Sequence, residues 1–134
     1  HVMNPREVDM CLLHPDSAIA SDAVLRGDEG HPRAAGTFPM GIGILRNAGL
    51  SWPEAVRHAT SRPAEMMWHK GGRIVEGANA ELVVIDPDSY EDRGRFGAPL
   101  VAPGGVKWVI LNGDVAVEEG EIVGSPNGQI LLAE

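Results

Sequence analysis

The run Ser17-Ala18-Ile19-Ala20-Ser21-Asp22 decides the fold. It is short, small and apolar, and it ends on a carboxylate. Such a run is consistent with a buried parallel strand. After Asp22 the chain becomes polar and Gly-rich, so the carboxylate stands where a strand gives way to a loop. In α/β barrels that end of a strand carries catalysis and metal binding. The other reading makes Asp22 a simple turn cap, and the residues alone leave both open.

Upstream, Asn4-Pro5-Arg6-Glu7 is a helix start: Asn4 caps, Pro5 suits the first helical position and Glu7 completes a capping box. Val8, Cys11 and Leu12 give this helix an apolar face, which makes Cys11 a small buried hydrophobe. His14-Pro15 ends it, because proline has no N–H to give. Downstream, Val24 to Gly36 reads as a long loop with turns at Arg26-Gly27-Asp28 and Glu29-Gly30. Long loops inside compact domains are often functional. Phe38 to Ala48 reads as a helix despite Gly41 and Gly43, each worth about 1 kcal/mol against Ala. Ser51-Trp52-Pro53-Glu54 is a second capping box, with Trp52, Ala55, Val56 and Ala59 as the buried face. Ser61-Arg62-Pro63 opens a third helix carrying Ala64, Met66, Met67 and Trp68. The two methionines read as core.

Beyond Trp68 the pattern changes to short β-type runs. These are Arg73 to Val75, Glu81 to Ile85, Val106 to Leu111, Val115 to Glu118, Glu121 to Val123 and Ile130 to Leu132. Asn112-Gly113 between two of them is a strong hairpin signal. Residues 86–105, rich in Pro, Gly and acidic turn formers, read as a loop. The organisation is therefore α/β over residues 1–70 and all-β over 71–134. A β segment this small is expected to take more strands from elsewhere.

The 134 residues are too few for a complete (β/α)₈ barrel, which needs roughly 250. No run of 18 apolar residues exists, so no transmembrane helix is expected. Eleven basic against 19 acidic residues give a net charge of −8, which repels nucleic-acid phosphates and anionic lipid. Gly and Pro make up about a fifth of the chain, against roughly 12% on average, and predict tight turns and short elements. A single cysteine cannot form an internal disulfide, and a reducing cytoplasm is the plain inference. The opening His1-Val2-Met3-Asn4 resembles neither a tag nor a start, so a piece of a longer protein is expected.

The five histidines are scattered, and no His-x-His, Cys-x-x-Cys or His-Glu-x-x-His spacing occurs. A self-contained zinc site needs three or four converging ligands, which this pattern does not offer. No Gly-x-Ser-x-Gly elbow gives weight to a serine nucleophile. The glycines at 41 and 43 do not follow a strand, so a phosphate loop is disfavoured. From residues alone, the reading is a barrel-like strand end with one poised carboxylate, joined to a small β module.

Several segments resemble N-acyl-D-amino-acid deacylases (D-aminoacylases) of the amidohydrolase superfamily. Ser21-Asp22, His31-Pro32-Arg33 and Gly36-Thr37-Phe38-Pro39 resemble the end of their catalytic barrel. Arg62-Pro63-Ala64-Glu65 resembles the helix that follows. Gly72-Arg73-Ile74-Val75-Glu76-Gly77-Ala78-Asn79-Ala80-Glu81-Leu82-Val83-Val84-Ile85-Asp86 resembles a segment found across the superfamily, and Val109 to Gly120 its closing hairpin. Ala23 stands where D-aminoacylases often have Gly, and Glu81 where Asp is common.

The resemblance implies the C-terminal end of a (β/α)₈ barrel, its last strand and helices, followed by part of a small β-sandwich. Asp22 falls on the aspartate after barrel strand eight, which implies a general acid and base and a possible metal ligand. His31 and Arg33 fall on a loop at the mouth of the site, as substrate contacts. Zinc is the implied cofactor, with the other ligands expected before residue 1. The implied substrate is a small N-acyl-D-amino acid. Dihydroorotase- and hydantoinase-type cyclic amidohydrolases share the β segment and remain an alternative. A further alternative is an inactive truncated or split homologue serving as a binding or assembly module. Alone, the chain is expected to be inactive and to pair with a copy of itself or with the missing N-terminal part.

Overall fold

The computed structural model describes residues 3–27, 29–124 and 128–129. Helix α1 spans Pro5–Leu12, and the Asn4 side chain accepts the Arg6 N–H at 3.0 Å. The Asn4 cap forms as expected, but without the Glu7 half of the expected capping box, and α1 buries none of its residues. Cys11 is exposed, which corrects its reading as a buried hydrophobe. The helix touches the core through Leu12.

Ser17 to Ser21 forms no strand, contrary to expectation. A strand needs a neighbour, and among the described residues this stretch meets a helix end instead. The Ile19 N–H donates to the carbonyl of His58 at 2.8 Å, and Ile19 is buried. The expected loop from Val24 to Gly36 is also reshaped. Leu25–Arg26 (β1) and Glu29–Gly30 (β2) pair as a two-residue antiparallel hairpin. Helix α2 begins at Arg33, five residues earlier than expected, and runs to Asn47. Pro32, with φ −51° and ψ −23°, already holds a helical backbone and nucleates this earlier start. Pro39 lies buried inside the helix.

Gly49, at φ +99°, ends α2 in a left-handed turn that only glycine adopts cheaply. Its N–H returns to Arg46 and that of Leu50 to Leu45, at 3.0 and 3.1 Å. Helix α3 (Trp52–Arg57) starts with the expected capping box. Ser51 Oγ accepts the Glu54 N–H, and Glu54 Oε2 accepts the Ser51 N–H at 2.7 Å. The Ser51 hydroxyl, which donates to Glu54 Oε2 at 2.6 Å, and the Ser51 N–H hold the Glu54 carboxyl below the usual carboxylate range. Ile19, Ile42, Leu45 and Ala55 form the buried core, with Trp52, Val56, Ala59 and Tyr90 packed on it. The face expected for α3 is the one observed.

Helix α4 is shorter than expected, Ser61–Met66. Met66, Met67 and Trp68 are exposed, Trp68 at 91%, so they are not core. Arg73 to Val75 forms no strand either. Arg73 instead forms an ion pair with Glu65 of α4, and Ile74 and Val75 are exposed. Glu65 also faces Arg57 at 3.5 Å. Burial pushes its carboxyl up, but the Arg57 and Arg73 guanidinium groups outweigh this and hold it low.

The remaining strands form one antiparallel meander, β3 (Leu82–Ile85), β4 (Val106–Leu111), β5 (Asp114–Glu118) and β6 (Glu121–Ile122). Asn112 at φ +52° and Gly113 at φ +90° make the expected tight turn, since a type I′ hairpin needs positive φ at both positions. The strand expected over Ile130 to Leu132 lies outside the described residues. No helix among the described residues is long and apolar enough to cross a membrane.

The chain exposes 9943 Å². A compact monomer of 14.2 kDa would expose about 6,800 Å². Among the described residues the buried core is confined to Ile19, Ile42, Leu45 and Ala55 between the helices, and no residue of strands β3 to β6 is fully buried.

Candidate functional site

Asp22 follows the pinned segment Ser17–Ile19 and takes φ +46°, a left-handed conformation that aspartate tolerates better than most residues. Its side chain is 87% exposed, and Oδ2 stands 3.2 Å from an Arg33 guanidinium nitrogen. A pair this exposed contributes about 0–1 kcal/mol, so it does not hold the fold. Both groups remain available to a ligand.

Arg33 occupies the first turn of α2 rather than a loop. Its N–H donates to His31 Nδ1 at 3.1 Å, which fixes Nδ1 of the neutral ring as an acceptor. The His31 ring packs edge-on against Phe96, with centroids 4.9 Å apart. The three residues singled out from the sequence therefore come together: Asp22 meets Arg33 by charge, and His31 meets Arg33 through the backbone. A cavity of about 400 Å³ lined by Val24, Arg26, Glu29 and Gly30 lies on the adjacent hairpin, and none of the three lines it.

Sequence reasoning missed the residues that pack on this site from residues 86–105. Beside Phe96 on His31, Asp92 packs against Gly36 and Gly94 against Pro32. The only signal was the length of that loop, which is unusual for a structureless connection.

The chemistry offered is a carboxylate that can carry a proton beside a guanidinium that can bind an anion. Among the described residues no group of three or more His, Cys, Asp and Glu could hold a metal ion. Asp22 would be at most one of the three or four ligands that zinc takes. The described residues thus do not make a zinc site by themselves.

No protein-family model matches the chain. It is similar to three curated proteins of Alcaligenes xylosoxydans xylosoxydans. It is 34% identical to an N-acyl-D-glutamate deacylase over 83% of this chain and 23% of that protein. It is 32% identical to a D-aminoacylase over 97% of this chain and 28% of that protein. It is 29% identical to an N-acyl-D-aspartate deacylase over 97% and 27%. The chain thus spans about a quarter of the length of these relatives. Among solved structures, a D-aminoacylase described as defining a novel subset of amidohydrolases superposes with a TM-score of 0.85 at 28% identity, over 92% of this chain and 27% of that one. An N-acyl-D-glutamate deacylase of Bordetella bronchiseptica, complexed with zinc and a phosphonate mimic of the tetrahedral intermediate, superposes at 0.77 with 29% identity, over 90% and 27%.

Proposed function

We propose, for a chain whose homologues are the D-aminoacylase amidohydrolases, that it is the C-terminal part of a zinc-dependent deacylase of N-acyl-D-amino acids. The observation that carries this reading is the Asp22–Arg33 pair, a proton carrier 3.2 Å from an anion binder. In it, residues 1–70 form the last strand and helices of a (β/α)₈ barrel, and residues 71–134 form strands of a small β-sandwich. The exposed area supports more protein packing on this chain. It exceeds that of a compact monomer by about 3,000 Å², well above the roughly 800 Å² that one partner contributes to a standard interface.

The roles follow from the side chains. The Arg33 fork binds the carboxylate that every N-acyl amino acid carries, in the bidentate way guanidinium favours. The His31 acceptor holds the Arg33 backbone in place. Asp22 takes a proton from the attacking water and delivers it to the amide nitrogen as the C–N bond breaks, giving a carboxylic acid and a free D-amino acid. Asp22 would supply at most one zinc ligand, and the others would come from outside the described residues.

The test is turnover by the natural polypeptide that carries these residues, assayed with N-acetyl derivatives of D- and L-amino acids. The expected result is D-selective hydrolysis that Asp22→Asn lowers by about 10²–10⁴-fold in kcat. Arg33→Lys should chiefly raise KM, because it removes the fork and keeps the charge. Unchanged turnover in Asp22→Asn would overturn the proton-carrier role. No turnover of any acylated amino acid by a zinc-loaded, folded protein would favour the binding or assembly module.

A further inference from the structure

We infer that the loop between β3 and β4, through Asp92, is a positioning clamp for the substrate-binding turn His31-Pro32-Arg33. This rests on the assignment of Arg33 to the substrate carboxylate. It adds an element about sixty residues distant in sequence, on the β module, to which that assignment gives no role.

Four contacts carry it. Gly36 is buried in the first turn of α2, one turn after Arg33. A Cβ at position 36 would stand 2.6 Å from Asp92 Oδ2 and closer still to the rest of that carboxylate. The carboxylate thus occupies the space that any other side chain at 36 would need. Two residues on, Gly94 approaches so closely that a Cβ there would stand 3.0 Å from the Pro32 carbonyl oxygen. Phe96 meets the His31 ring at 4.9 Å. Tyr90 meets Trp52 at 6.3 Å and joins the core. Successive loop positions therefore touch His31, Pro32 and the turn that bears Arg33.

The loop can serve as a clamp because it is closed at its base and braced inside. The Asp86 N–H donates to Gly105 O at 2.7 Å, and the Gly104 N–H to Glu91 O at 2.9 Å. Asp92 Oδ1 accepts the Gly94 N–H at 2.8 Å, which orients the carboxylate. The negative charge also lies by the first turn of α2, where the helix dipole favours it. A displaced clamp lets the α2 start shift and moves the guanidinium with it. A misplacement of 1 Å costs up to about 100-fold in a preorganised site.

The experiment measures kcat and KM for an N-acetyl-D-amino acid in the natural enzyme carrying Gly36→Ala, Asp92→Ala, the double substitution, or Arg33→Lys. Gly36→Ala is expected to raise KM about tenfold with kcat held, since the loss falls on binding. Asp92→Ala alone is expected to raise KM about threefold. The double substitution should return to the Asp92→Ala level, because the new methyl then fills the space of the lost carboxylate. A general loss of stability would not produce that recovery in KM. A rise in KM with Arg33→Lys alone overturns the clamp and leaves the Arg33 assignment standing. An unmoved KM in Arg33→Lys and Gly36→Ala alike overturns both. Should Gly36→Ala not fold, Asp92→Ala decides: a threefold rise in KM with kcat held supports the clamp, and an unchanged KM overturns it.

Discussion

Replacing Gly41 and Ile19 together tests the packing that holds the segment leading to Asp22. Ile19 is 6% exposed and lies over Gly41 of helix α2, the helix that bears Arg33. A Cβ at 41 would stand 2.9 Å from Ile19 Cδ1, and 3.3 and 3.4 Å from Cγ1 and Cγ2. The methyl of Gly41→Ala thus collides with the far end of one side chain and only presses on the rest. Overpacking of this kind costs about 1–3 kcal/mol, offset by about 1 kcal/mol from replacing a mid-helix glycine. The expected net is a loss of about 0–2 kcal/mol. Ile19→Val deletes the colliding Cδ1 and alone costs about 0.5–1.5 kcal/mol. In the double variant the added methyl takes the vacated space, the helix gain remains, and stability returns close to wild type. The coupling is expected at about 1–2 kcal/mol in favour of the double variant. Denaturant unfolding of the four proteins, with slopes checked for equality, measures it. Additivity within about 0.5 kcal/mol would refute the claim that Gly41 exists to receive Ile19.

Ser51→Ala removes one half of the α3 capping box and is expected to cost about 1 kcal/mol; a thermal midpoint unchanged within error would count against the cap. The Ser89 hydroxyl, 2.5 Å from Asp86 Oδ2, and the Asp88 N–H hold the Asp86 carboxyl below its ordinary value. The folded pKa lies below the unfolded one, so this contribution is present above about pH 4 and is lost as pH falls through the lowered value. Ser89→Ala should flatten the acid limb of midpoint against pH between about 2 and 5, and an unaltered limb would refute the assignment.

The parts of this fold that were legible in the sequence are those set by neighbours in the chain. Asn112-Gly113 specifies its own hairpin because positive φ at two adjacent positions is a local demand. Ser51 and Glu54 specify their own helix start for the same reason, three residues apart. The runs that became β3, β4, β5 and β6 were legible because each finds its partner in the next. Two other runs expected as strands, Ser17 to Ser21 and Arg73 to Val75, find no strand partner among the described residues. In the first, the Ile19 N–H donates to the His58 carbonyl, and in the second Arg73 pairs with Glu65 of α4. Apolar character says that a segment will be covered, not by what, and a strand exists only where a second backbone lies alongside.

The site divides the same way. Asp22 was legible as a carboxylate at the change from an apolar run to a polar loop, whereas His31 and Arg33 were singled out only by the resemblance to the deacylases. Their grouping depends on where α2 begins, and Pro32 moved that start onto Arg33. The placement of Asp92 on Gly36 and of Phe96 on His31 was not legible at all. Those contacts join residues more than fifty positions apart and arise only after the meander has closed the base of the loop. Short-range hydrogen bonding and backbone sterics are written in adjacent residues, so the sequence determined the Asn112-Gly113 turn, the Asn4 and Ser51 caps and the runs that became strands β3 to β6. Which side chains share the space around Arg33 is set by how the β3–β4 loop packs across α2, and only the tertiary structure decided that.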